Sequence, residues 1–95
     1  MIYFIREIVS GRVKIGYTKD DGSLKKRLGR LQTGNPDELE VYGTIPGDMK
    51  VEKFLHHRFG RFRIRSNNEW FYWTDAVEHC IDKLLEKAAN DENAG

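Results

Sequence analysis

The chain has 95 residues, 39% hydrophobic and 33% charged, and a net charge of +1 at pH 7, enough for one modest core and too little for two domains. A single cysteine, Cys80, excludes an internal disulfide, and its place on an apolar helix face predicts a buried structural thiol. No apolar run approaches the ~20 residues of a membrane span and no basic segment precedes a signal-peptide core, so a cytoplasmic protein is expected.

The first elements form a hairpin. Met1–Ile5 and Val13–Tyr17 are rich in β-branched and aromatic residues, and Ser10-Gly11 suits a tight reversal. With those two as the loop, Val9 faces Arg12, Glu7 faces Lys14 and Tyr3 faces Thr18. Odd positions of the first strand then share a sheet face with even positions of the second. Tyr3 and Lys14 fall on one face; Phe4, Ile8, Val13, Ile15 and Tyr17 fall on the other, which is the expected core side. A bulge in the turn would reverse this parity.

Ser23 is placed to cap a helix running to about Gln32, on which Leu24, Leu28 and Leu31 make one stripe. Arg27 lies about 60° from the centre of that stripe, while Lys26 and Arg30 point further into solvent. Thr33-Gly34-Asn35-Pro36 ends the helix, with a left-handed exit expected at Gly34. Leu39–Ile45 alternates as a third strand, and Pro46-Gly47-Asp48 turns the chain into a second helix over Met49–Phe59. Val51, Phe54, Leu55, Arg58, Phe59 and Phe62 form its expected inner stripe, with Glu52 and His56 side by side on the flank. Gly60–Asn68 is basic and irregular. Trp70 and Phe71 are expected to join the sheet to a last helix, which Thr74-Asp75 begins and which ends near Ala89. Val77, Cys80, Ile81, Leu84, Leu85 and Ala88 form its apolar face. Residues 1–89 read as one domain and 90–95 as a frayed tail. The expected fold class is α+β, three antiparallel strands flanked by three helices.

Charge is unevenly distributed: +5 over residues 1–36, −4 over 37–48, +5 over 49–68 and −5 over 69–95. Two basic blocks in a near-neutral chain suggest one positive face suited to phosphates, through Lys25, Lys26, Arg30, Arg61, Arg63 and Arg65, unless folding scatters them over a generic solvated surface.

Specific residues carry a family resemblance. Ile2-Tyr3, then Lys14-Ile15-Gly16, Lys26-Arg27-Leu28, Leu31-Gln32-Thr33-Gly34-Asn35-Pro36, Glu52-x-x-Leu55-His56-x-x-Phe59 and Glu69-Trp70-Phe71 occur in order over residues 1–73. The pattern resembles the GIY-YIG nuclease superfamily, closest to the small phage, bacterial and fungal subgroup with KIG in place of YIG. The resemblance implies a divalent-metal-dependent endonuclease acting on DNA, most readily double-stranded. It implies Glu52 as ligand to Mg²⁺ or Mn²⁺, Arg27 as phosphate clamp and Tyr3 as the residue that positions or deprotonates the nucleophile.

Each residue also has a structural reading. Glu52 could make a surface ion pair, Arg27 could pair with an acid, and Tyr3 could simply pack. Lys14 replaces the second motif tyrosine; it could bind phosphate, act as a base, or pair with Glu7 across the hairpin. Tyr17 ranks below it on parity. His56 could be a base, an orienter of Glu52, or a satisfied structural histidine. Glu69 and Asn67-Asn68 border the same region. Zinc is not expected, because one cysteine and three histidines lack ligand spacing. A catalytically silent nucleic-acid-binding module is the alternative, with a protein-interaction domain as a third. A homodimer or a partner protein would supply specificity to so small a unit.

Overall fold

A computed structural model describes residues 1–64 and 69–94. The chain runs β1 (Ile2–Glu7), β2 (Val13–Tyr17), α1 (Asp21–Thr33), β3 (Leu39–Ile45), α2 (Met49–Arg58), a 3₁₀ turn (Gly60–Phe62), β4 (Trp70–Phe71) and α3 (Asp75–Ala94). The strands form one antiparallel sheet in the order β3-β1-β2-β4. The expected α+β class with three helices is the observed one. The fourth strand is an addition: β4 is two residues long and pairs with Val13 and Lys14 of β2, too short for periodicity to reveal. α3 runs past its expected end at Ala89 to Ala94.

The hairpin register is two residues away from the expected one. Tyr3 pairs with Gly16 and Ile5 with Lys14, because the loop is longer than two residues. Glu7 N donates to Arg12 O and Gly11 N to Glu7 O, and Gly11 takes φ +76°, the left-handed conformation that favours glycine. A slip of two preserves side-chain parity, so Tyr3 and Lys14 still share a face. Ile8 does not join the core; it sits in the loop, 39% exposed.

Each sheet face is a core. Ile2, Phe4, Val13 and Ile15 meet Leu55 and Phe59 of α2, Phe71, and Val77 and Ile81 of α3, with Cys80 half-buried at the margin. On the other face Tyr3, Ile5 and Leu39 meet Leu24, Leu28 and Leu31 of α1, so the face expected to be polar is also packed. Trp70 belongs to this second layer and does not reach α3, because neighbouring strand residues point to opposite faces. Phe54, 60% exposed, and Arg58, also exposed, lie outside the α2 stripe assigned to them.

The third strand carries a bulge. Phe4 pairs with Gly43 but Ile5 with Val41, leaving Tyr42 extra. Leu39 therefore turns toward α1 and Ile45 toward α2 and α3, although simple alternation would place both on one side. Helix starts are capped by side chains: Asp20 accepts from Ser23 N at 2.7 Å, Asp48 from Lys50 N and Val51 N, and Thr74 from Val77 N. Asp20, not Ser23, is thus the first N-cap. Gly34 leaves α1 at φ −92°, so the left-handed exit expected there is not used. Among the described residues, no helix is long and apolar enough to cross a membrane.

Glu7 is fully buried beside Leu39 and ties the hairpin loop to the segment after α1. It accepts from Arg12 Nε and Nη2, from Ser10 Oγ at 2.8 Å and from Asn35 Nδ2 at 2.5 Å. Asp37 completes the tie by accepting from Val9 N and Ser10 N. Burial alone would raise the Glu7 pKa, but the bonds from Arg12, Asn35 and Ser10 together outweigh it and hold the carboxyl below its ordinary 4.5. A depressed folded-state pKa contributes stability that is present above the unfolded value and lost as pH falls through the folded one. Resistance of the wild type to urea should therefore weaken as pH drops below about 4.5, and Glu7→Gln should flatten that decline. Arg12→Ala, which strands the buried carboxylate, should cost roughly 2–3 kcal/mol at neutral pH.

Candidate functional site

The site is built around a steric fit between two paired strand residues. Tyr3 of β1 lies opposite Gly16 of β2, and a Cβ on Gly16 would collide with Tyr3 Oη and Cζ. The absent side chain is the trough in which the phenol lies, pointing past β2. Beyond Lys14, β2 has no further β4 partner, and α2 is fastened there. His56 Nε2 lies 2.7 Å from Ile15 O; a carbonyl only accepts, so Nε2 carries the proton and Nδ1 keeps the lone pair when the ring is neutral. Phe71 packs edge-on against the same imidazole at 5.3 Å.

Around the phenol stand the charged groups. The Arg27 guanidinium, from the exposed side of α1, is 5.9 Å from the Tyr3 ring centroid. Among the described residues Tyr3 Oη is buried without a hydrogen bond of good geometry, although the Arg27 guanidinium is near enough to act on it in that way. Burial pushes its pKa above the ordinary 10, the Arg27 charge pulls it down, and the Glu69 and Glu52 carboxylates add to the rise. Tyr3 is therefore a protonated phenol at neutral pH, with a guanidinium beside its ring and two carboxylates near enough to raise its pKa. Glu52 is half-buried on α2, one helical turn before His56.

Lys14 is not paired with Glu7, whose oxygens are occupied by Arg12, Ser10 and Asn35. Its side chain is 12% exposed, and its ammonium binds Glu69 at 2.6 Å and lies 5.8 Å from the Trp70 ring centroid. Sequence reading left Glu69 unassigned, although it is the only acid between Glu52 and Asp75; that isolation is the signal that could have marked it. Gly16 was legible only as part of a motif, because its reason for being glycine is the ring across the strand.

The remaining predicted cations divide. Lys25, Lys26 and Arg30 are exposed on α1 beside Arg27, and Thr18, Ser23, Lys26, Arg27 and Arg30 line a cavity of about 220 Å³. Arg63 turns inward: Nη2 donates to His56 O at 3.0 Å, and the guanidinium lies 5.5 Å from the Phe71 ring centroid. Arg61 is exposed beside Phe62, on the chain after α2. Arg65 and Asn67-Asn68 lie outside the described residues. Arg27 of the α1 block thus borders Tyr3, and Arg63 of the second block is turned inward against α2.

Among the described residues no three His, Cys, Asp or Glu side chains converge as a metal cage. The donor set at Glu52 is one carboxylate. That suits Mg²⁺ or Mn²⁺, which keep several waters and take one or two carboxylates plus phosphate oxygens; it does not suit zinc.

An unsatisfied buried hydroxyl opposes folding. Tyr3→Phe should therefore leave the melting temperature unchanged or raise it, the opposite of what loss of an ordinary buried tyrosine contact does. Gly16→Ala should destabilise by about 1–3 kcal/mol through overpacking against the ring. Paired thermal melts of the two variants check both signs.

Comparison with known proteins agrees with the motif order. The whole hairpin, all three helix starts and most of α3 fall within a match to the T5orf172 domain, over residues 1–89. That is a phage-open-reading-frame-type domain related to GIY-YIG-like nucleases; no match specific to GIY-YIG itself is found. No curated protein and no solved structure matches the chain. Strand order, the Tyr3–Gly16 fit and the motif residues are thus the local detail of a family assignment made over almost the full length: the chain belongs to the T5orf172 domain family.

Proposed function

We propose that this domain is a divalent-metal-dependent endonuclease that hydrolyses DNA phosphodiester bonds. The observation that carries the reading is the buried phenol of Tyr3, whose hydroxyl has no well-formed hydrogen bond among the described residues, with the Arg27 guanidinium 5.9 Å from its ring centroid and the Glu52 carboxylate near enough to act on its charge. An unsatisfied buried hydroxyl calls for an explanation, and a catalytic role completed by substrate is one. The T5orf172 family, nuclease-like and DNA-binding in character, supports the same reading.

The chemistry follows from each side chain. Arg27 offers a planar fork to two oxygens of the scissile phosphate and stays charged at any relevant pH. Tyr3, protonated in the free protein, donates its hydrogen bond to orient the attacking water in line. Lys14, kept in place by Glu69, adds a second fixed positive charge next to the developing charge on the phosphate. Mg²⁺ or Mn²⁺ held by Glu52 would neutralise phosphate charge and lower the barrier to attack. His56 is a positioning residue: with Nε2 committed to Ile15 O, it holds α2, and hence Glu52, against β2.

A second reading rests on one contact. Lys14, standing where the superfamily has a tyrosine, is locked to Glu69, which is compatible with a module that binds nucleic acid without turnover. Supercoiled plasmid separates the two. The nuclease predicts nicking with Mg²⁺ or Mn²⁺, abolished by EDTA and reduced on the order of 100-fold or more by Glu52→Ala and by Arg27→Ala. Salt-sensitive gel-shift binding without nicking would establish the silent module instead.

A further inference from the structure

A second cavity adjoins the phosphate site and is not used by the chemistry above. It measures about 350 Å³ and lies between the hairpin loop, the last turn of α1 and β4, with Glu7, Arg12, Arg30, Leu31, Asn35 and Trp70 in its walls. Arg30 also lines the cavity that contains Arg27. Arg30 is therefore a wall residue of both spaces, and Arg27 and Arg30, three residues apart on α1, are neighbours on its surface.

The second cavity is built for a planar group carrying an anion. Arg12 is oriented by its two bonds to the buried Glu7 carboxylate, through Nε and Nη2. Its Nη1 edge makes no hydrogen bond among the described residues, and the side chain remains 46% exposed. A guanidinium fixed along one edge presents its other edge without losing further rotamer freedom, the pre-organisation that favours phosphate oxygens. Arg30 supplies a second guanidinium from α1. Trp70 supplies an apolar wall, with Arg12 6.0 Å from its ring centroid. The volume falls at the small end of ligand sites, about 300–1,000 Å³, which suits one nucleotide and not a duplex.

We propose that this cavity receives the nucleotide next to the one whose phosphate lies at Arg27, with its phosphate on Arg12 and Arg30 and its base against Trp70. The inference rests on the nuclease reading for its biological sense but not for its test. It makes the substrate a strand with at least one base accessible outside the duplex stack beside the cut, because a stacked, paired base could not enter a pocket of this size.

The test is binding of thymidine 3′,5′-bisphosphate in EDTA, followed by ¹H–¹⁵N NMR with arginine and indole side-chain signals observed. Shifts are expected at Arg12, Arg30 and the Trp70 indole. Arg30→Gln should weaken binding roughly tenfold, and Lys83→Gln, an exposed cation on α3, should leave it unchanged. Thymidine and inorganic phosphate alone should each bind more weakly than the bisphosphate. Shifts confined to Tyr3 and Arg27, an Arg30→Gln affinity equal to wild type, or inorganic phosphate binding as tightly as the bisphosphate would each overturn the proposal. Cleavage of supercoiled plasmid and of a DNA strand with unpaired bases, run in parallel, keeps the two ideas apart. A protein that binds the bisphosphate at this cavity but never nicks loses the nuclease reading and retains the pocket; one that nicks without these shifts does the reverse.

Discussion

Everything at the candidate site depends on a ring crossing a strand where no side chain stands in its way. Tyr3 and Gly16 are cross-strand partners, and the space a Cβ would take at Gly16 is filled by the phenol. This contact sets the direction in which the hydroxyl leaves the sheet. It also makes the hairpin register a functional quantity, because any slip would put a residue with a side chain, such as Ile15 or Tyr17, under the ring. The Glu7 cluster then guards that register from the other end. It fixes the loop between β1 and β2 against the segment after α1, so the strands cannot slide past one another.

The site is assembled from elements held independently of one another. Tyr3 and Lys14 come from the sheet, Arg27 from α1 on one face, and Glu52 from α2 on the other side of the β2 edge. Their convergence is possible because β4 is so short. Had β4 run the length of β2, its backbone would occupy the edge where His56 meets Ile15 O. The two-residue strand leaves room for a helix, and the helix brings the carboxylate.

How much of this could be read beforehand follows from the range of each interaction. Side-chain alternation is local, so the shared face of Tyr3 and Lys14 was legible even with the hairpin register misplaced by two. Helical spacing is local too, and it placed Arg27 beside the Leu24–Leu28–Leu31 stripe and Glu52 beside His56. The bulge at Tyr42 was not legible, since it arises from pairing with β1 and leaves Leu39–Ile45 looking like an uninterrupted strand. The partner of Lys14 lies 55 residues away, and no spacing rule reaches that far; the nearer candidate, Glu7, was already occupied by Arg12. Buried carboxylates with several donors are similarly invisible in one dimension, because their donors come from a loop and from the end of a helix.

The bulge in β3 has a bearing on association between molecules. β3 is an outer strand of the sheet, seven residues long, and a straight edge of that length is an open template for a strand from another copy. The extra residue at Tyr42 breaks the run of evenly spaced donors and acceptors and increases the local twist, so a second chain could match only part of the edge at a time. The same irregularity that lets Leu39 and Ile45 serve two different cores therefore also disfavours edge-to-edge polymerisation, leaving helix surfaces as the ground on which two copies would meet.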